Sequence, residues 1–232
     1  MSVPQLPLAL RYPPDQRLAS FIAAPAGLAG QLDALAGTPG ADWLYLAGPI
    51  GTGKTHLALG LCAAAEQAGR RAAYLPLLAA RGRLAAALEA LEGNDVVALD
   101  GLESIAGDRA DEVALFDFHN RARSAGLNVL YAAREAPDAL ALALPDLRSR
   151  LSQNARVLLH PLDDVSRAQI LRDRAMRRGL VLDETAIEWM LSRTDRNLGS
   201  LMALLDLLDR ESLAAQRRIT VPFLRQVMDS QG

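Results

Sequence analysis

Apolar and polar positions repeat with two different periods along this chain. Five short apolar runs, "DWLYLAG" (42–48), "RAAYLPL" (71–77), "NDVVALD" (94–100), "LNVLYAA" (127–133) and "ARVLLHP" (155–161), have the length of strands. The segments between them, 55–68, 78–92, 109–125 and 138–151, carry apolar residues at helical spacing. Apolar strands separated by helices predict an α/β fold, with a five-stranded parallel sheet covered on both faces. Ligands of such sheets gather at the carboxyl ends of the strands.

From residue 163 the strand signal stops. "DDVSRAQILRDRAMRRG" ends in Gly179, a residue suited to a helix C-cap. "DETAIEWMLSRT" and "NLGSLMALLDLLDRESLAAQ" follow, with Leu201, Leu204, Leu205 and Leu208 on one helical face. In "TVPFLRQVMD", Thr220 is placed to cap and Pro222 falls in the first turn. The pattern predicts a small four-helix domain after the sheet.

Composition narrows the class further. At 232 residues the chain suits one α/β domain with a smaller appendage, and its 50% hydrophobic and 22% charged content is that of a soluble globular protein. A net charge of −2 gives no basic field for nucleic acid or an anionic membrane. The single Cys62 excludes an internal disulfide and fits a reducing compartment. "MSVPQLPLALRYPPD" lacks the basic start and apolar length of a signal peptide, and no run reaches the ~18 apolar residues of a membrane span. A cytoplasmic location is expected.

Among 25 lysine and arginine side chains the only lysine is Lys54, in "GPIGTGKT". Gly48, Gly53, Lys54 and Thr55 fit G-x-x-x-x-G-K-[ST] after an apolar strand and before a helix, the setting this phosphate loop requires. Glycines let the backbone, here including Gly51 and Thr52, wrap a phosphate, and amides at the helix start donate to it. A compact ammonium reaches between β- and γ-phosphates where a broad guanidinium would not fit. Thr55 and Asp100, which ends the third strand, are the expected Mg²⁺-holding pair. A second acid normally follows such an aspartate and orients an attacking water, but Gly101 stands there. Glu103 is expected to be solvated or capping. The loop is equipped to hold ADP or ATP, and poorly equipped to hydrolyse ATP unaided.

"GPIGTGKTHL", "LDGLESIAGD", "LPDLRSRL" and "LDRESLAAQRRITVPFL", in that order, resemble the DnaA-like AAA+ family over nearly the whole chain. The resemblance implies strand order 5-1-4-3-2 and a helical lid. It also implies three parts: a clamp-binding peptide at 1–12, a nucleotide-binding domain at 13–160 and the lid at 161–232. In "QLPLAL", Gln5 would be the polar anchor and Leu6, Leu8 and Leu10 the apolar contacts for the β sliding clamp of DNA polymerase III. Arg150 in "LPDLRSRL" falls at the family's arginine-finger position, with Arg148 as a possible helper. The family's initiators continue into a DNA-binding domain, whereas this sequence ends at Gly232. That favours a regulator with no sequence-specific DNA contact, which activates ATP hydrolysis by DnaA in trans and prevents re-initiation. An autonomous ATPase such as a helicase loader is the alternative, and homo-oligomerisation stays open.

Two departures from the family pattern bear on the nucleotide state. Gly199 occupies the place of the lid arginine, with Arg196 one turn earlier, and Ala132–Ala133 replace the polar sensor after the fourth strand. Both remove groups that detect a γ-phosphate, which favours ADP. His56 is expected on a helix face, and His119 or Asn120 could approach the nucleotide. Arg172, Arg174, Arg177 and Arg178 are expected on a solvated face among Asp163, Asp164 and Asp173. Apolar residues near Leu18–Ile22 are expected to meet the base.

Overall fold

The computed structural model describes residues 16–22, 24–193, 198–215 and 219–229. These divide into two compact units. One holds the described residues up to Gly48 together with Gly53–Leu158, and the other holds Pro49–Thr52 and the described residues from Leu159 onward.

In the first unit the five predicted strands form, at β1 (Leu44–Ala47), β2 (Ala72–Pro76), β3 (Val96–Asp100), β4 (Asn128–Ala133) and β5 (Ala155–Leu158). All pair in parallel in the order β2-β3-β4-β1-β5, the order the family resemblance implies read from the other edge. β1, β4 and the first four residues of β3 are fully buried, as their unbroken apolar runs require. The outer strands β2 and β5 hold no fully buried residue, and β5 alternates between half-buried and exposed because it is an edge.

Helices α1 (Leu28–Gly37), α2 (Lys54–Gln67), α3 (Leu77–Ala80), α4 (Leu84–Glu89), α5 (Arg109–Ser124) and α6 (Pro145–Ser152) surround the sheet. The helices differ from the periodicity reading at three places. α1 was not anticipated, although Leu28, Leu32, Leu35 and Ala36 make one buried face. The segment 78–92 is two helices, because Gly82 turns left-handed at φ 77° between them. Asp111, on α5, accepts from the amides of Gly82 (2.7 Å) and Leu84 (3.3 Å), which holds that break. Residues 138–144 are not helical, and α6 starts only at Pro145, whose missing N–H suits a first turn.

The second unit contains α7 (Asp164–Arg177), α8 (Glu184–Arg193), α9 (Leu198–Ala215) and α10 (Val221–Asp229). Leu171, Ile187, Met190, Leu201, Leu208 and Leu224 pack at its centre. Asp163 caps α7 by accepting the Ser166 amide at 2.8 Å, and Gly179 follows α7 at φ 70°. Two of the four arginines of the basic cluster pair with acids other than those expected. Arg172 grips Glu184 at 2.9 and 2.6 Å, and Arg178 reaches Asp206 at 2.6 Å.

Candidate functional site

The carboxyl ends of β1, β3 and β4 lie side by side, with Ala47 opposite Ala133 and Asp100 opposite Ala132. Gly48 continues the ladder, its amide donating to the Ala133 carbonyl at 3.2 Å. Lys54 starts α2, is only 9% exposed, and donates from Nζ to the Gly48 carbonyl at 2.5 Å. Burial pulls its pKa below that of an ordinary lysine, opposed by Glu103 and Asp100, while Arg134 lowers it further. The ammonium thus folds back on the loop's own carbonyl, where an anionic oxygen is a stronger acceptor.

Gly51 and Gly53 are both left-handed, at φ 83° and 90°. At Gly53 a Cβ would also lie 2.5 Å from the Phe21 ring, so this position excludes a side chain twice over. Phe21 tilts against His56 at 5.5 Å between centroids, and His56 Nε2 sits 2.9 Å from the Arg17 carbonyl. His56 therefore fastens the 3-10 turn Leu18–Ser20 to α2. That turn also presses on α2 at Gly60, where a Cβ would come within 3.0 Å of Leu18. A shallow apolar cleft of about 190 Å³, lined by Leu18, Phe21, Leu28 and Leu57 among others, opens beside it. Thr52, almost fully buried, turns its hydroxyl onto the Pro49 carbonyl at 2.9 Å.

Thr55 and Asp100 meet as the motif implies. The Thr55 hydroxyl donates to Asp100 Oδ2 at 2.6 Å, and the Tyr74 hydroxyl donates to the same oxygen at 3.0 Å. Tyr74 lies outside the motifs, and only the β2–β3 register brings it here. Gly101 then turns left-handed at φ 84°, with no atom within 4 Å of a Cβ there. Backbone conformation alone selects glycine at this position. The turn carries Glu103 away from the expected solvated role. Its carboxylate accepts the Arg134 amide at 3.1 Å and pairs with the Arg134 guanidinium at 3.0 Å.

Arg150 lies in the last turn of α6, beside edge strand β5 in sequence. Its side chain is exposed, and among the described residues no carboxylate pairs with it. Arg148 does not stand ready as a helper. It is half-buried and donates to the Leu142 carbonyl at 2.6 Å. Nor does His119 face the nucleotide side. It is buried in the core, with Nδ1 3.1 Å from the Tyr131 hydroxyl and its ring edge-on to Trp43. Gln5, Leu6, Leu8, Leu10 and Arg196 lie outside the described residues.

Comparisons with known proteins agree with this geometry. A family model described as "Hda, lid domain" matches residues 163–228. Domain III of the Thermotoga maritima replication initiation protein DnaA aligns with a TM-score of 0.79 at 20% identity, over 94% of this chain and 98% of that one. AMPPCP-bound DnaA from Aquifex aeolicus gives 0.70 at 20% identity, with 85% of this chain matched to 66% of the longer protein. A Thermotoga maritima RuvB mutant gives 0.68 at 19%, over 93% and 72%. The chain therefore shares its fold with these DnaA and RuvB structures, with the sheet order β2-β3-β4-β1-β5 described above. The lid match covers the helical part of the chain alone, residues 163–228. No described helix is long and apolar enough to cross a membrane.

Proposed function

We propose that this chain is a nucleotide-bound regulator of replication initiation that acts on DnaA. The single observation behind this reading is a lid of the Hda type at 163–228 on a DnaA-like core. Lys54 and the loop amides would hold the β-phosphate. Thr55 and Asp100 offer two oxygen donors 2.6 Å apart, a set that fits Mg²⁺. Bound there, the metal would supply charge neutralisation to the phosphates.

The state favoured is ADP. Ala132 and Ala133 offer no polar side chain at the sensor position, Gly199 offers none in the lid, and Glu103 is engaged by Arg134. Turnover by the chain alone would then be slow. The exposed Arg150 guanidinium would complete the ATP site of a neighbouring DnaA molecule, stabilising charge on the transferred phosphoryl group. The peptide around Gln5, Leu6, Leu8 and Leu10 would tether the chain to a sliding clamp on DNA, raising the local concentration of DnaA contacts. The proposed parts are the peptide at 1–12, the nucleotide-binding domain at 13–160 and the lid at 161–232.

Phosphate release by ATP-loaded DnaA, with and without clamp on DNA, tests this reading. The chain should accelerate release only when clamp is present. Arg150→Ala should lose ~10³-fold of the stimulation, and Gln5→Ala with Leu8→Ala should lose the clamp dependence. Rapid ATP hydrolysis by the chain alone, with no effect on DnaA, would favour an autonomous ATPase.

A further inference from the structure

We infer that Tyr74 is a positioning residue for the metal-facing carboxylate of Asp100, and that it sets how tightly magnesium joins the bound nucleotide. The inference rests on the reading above that Lys54, Thr55 and Asp100 hold a nucleotide with its metal.

The argument starts from register. Tyr74 of β2 is opposite Ala98 of β3, and Asp100 lies two residues further along β3. Side chains in a strand alternate between faces, so Tyr74 and Asp100 project on the same side of the sheet as diagonal neighbours. A short side chain at position 74 could not cross that diagonal, whereas a tyrosine ring does. Its hydroxyl arrives 3.0 Å from Asp100 Oδ2. The Thr55 hydroxyl reaches the same oxygen at 2.6 Å, from the first turn of α2. One carboxylate oxygen thus takes two hydroxyl donors from two different elements. Among the described residues Oδ1 accepts no hydrogen bond.

This arrangement has a chemical consequence. An aspartate at a strand end rotates freely about its last torsion unless something holds it. Two donors converging on Oδ2 fix the carboxylate plane and leave Oδ1 for a water of the metal. Thr55 has a second task, since its hydroxyl oxygen is the expected metal ligand. Tyr74 has no such task, because its donor is spent wholly on orientation. Partners of this outer kind are worth about 10–100-fold in metal affinity at other sites. A merely space-filling tyrosine, by contrast, would affect folding and nucleotide binding with or without metal.

Fluorescent ADP binding to the full-length protein separates these roles. Affinity is measured first in EDTA, then across a Mg²⁺ titration, for the parent and for Tyr74→Phe, which keeps the ring. Thermal unfolding of both proteins shows whether the variant is folded. The inference expects unchanged affinity in EDTA and a magnesium midpoint shifted upward about tenfold. An unshifted midpoint would overturn it, as would an equal loss of affinity with and without metal. No effect of Mg²⁺ on the parent would also overturn it, while leaving the nucleotide reading intact. Failure of the parent to bind ADP at all would instead remove the nucleotide reading, and this inference with it.

Discussion

The Glu103 carboxylate and the Arg134 guanidinium meet at 3.0 Å, and Glu103 also accepts the Arg134 backbone amide at 3.1 Å. One residue at the end of β4 therefore holds the acid from two directions. Gly101 creates this geometry by turning the chain left-handed directly after Asp100. A general base must be free to reach the water it activates, and that function contributes ~10²–10⁴ in rate. Glu103→Gln should therefore change whatever phosphate release the isolated chain gives by much less than that factor. A fall of ~10²-fold or more would reassign Glu103 as the base.

Two glycines of the site answer to different constraints, and substitution separates them. Gly101→Ala meets only backbone strain, about 1–2 kcal/mol for a left-handed alanine. Gly53→Ala meets similar strain and also drives a methyl group to 2.5 Å from the Phe21 ring. The second variant should unfold at lower denaturant than the first. Adding Phe21→Ala should recover part of the Gly53→Ala loss, a coupling that a double-mutant cycle in urea unfolding reads directly. Additive losses would show that Phe21 gives way without cost.

The parts of this protein that depend on local sequence were legible, and those that depend on register were not. Lys54, Thr55 and Asp100 could be placed because a strand–loop–helix motif carries its own context. All five strands could be found because buried parallel strands read as apolar runs. Tyr74 and Arg134 could not, because each reaches the site only through the pairing of β2 with β3 and β3 with β4. Arg148 and Arg150 are two residues apart on one helix, and only packing shows that one braces Leu142 while the other faces solvent. The break at Gly82 and the late start of α6 at Pro145 were written in those two residues, but apolar spacing on either side obscured them.

His119 should make stability depend on pH in the mildly acidic range. Burial lowers its pKa to about 4, with help from the charges of Arg123 and Arg150. Arg123 itself stacks 3.9 Å over Trp43, next to the imidazole. The folded state keeps this ring neutral, while the unfolded chain protonates it near pH 6.5. Unfolded protein thus binds the extra proton between those values, and stability is lost as pH falls through that window. Between pH 7 and pH 5 the loss should be about 2 kcal/mol. His119→Phe should flatten the slope in urea unfolding at the two pH values. An unchanged slope would place the titration elsewhere.

Glu112 carries the structural link between α5 and the segment that bears Arg150. Its side chain is fully buried, and its two oxygens accept three backbone amides: Gly107 at 2.7 Å, Ala143 at 2.9 Å and Leu144 at 2.7 Å. The last two belong to the turn that leads into α6 at Pro145. Glu112→Ala leaves three amides without their acceptor, each costing about 1–3 kcal/mol if water does not enter. The variant should lose at least about 3 kcal/mol in urea unfolding. The exposed pair of Glu92 with Arg121 at 3.6 Å provides the contrast, since Glu92→Ala should cost less than about 1 kcal/mol. Glu112→Gln retains one acceptor oxygen and should fall between the two. If α6 is positioned through this carboxylate, the proposed stimulation of DnaA should fall in Glu112→Gln while ADP affinity holds, because Lys54 and Asp100 are anchored on α2 and β3. Equal losses in both measurements would mean that Glu112 supports the whole core rather than the helix carrying Arg150.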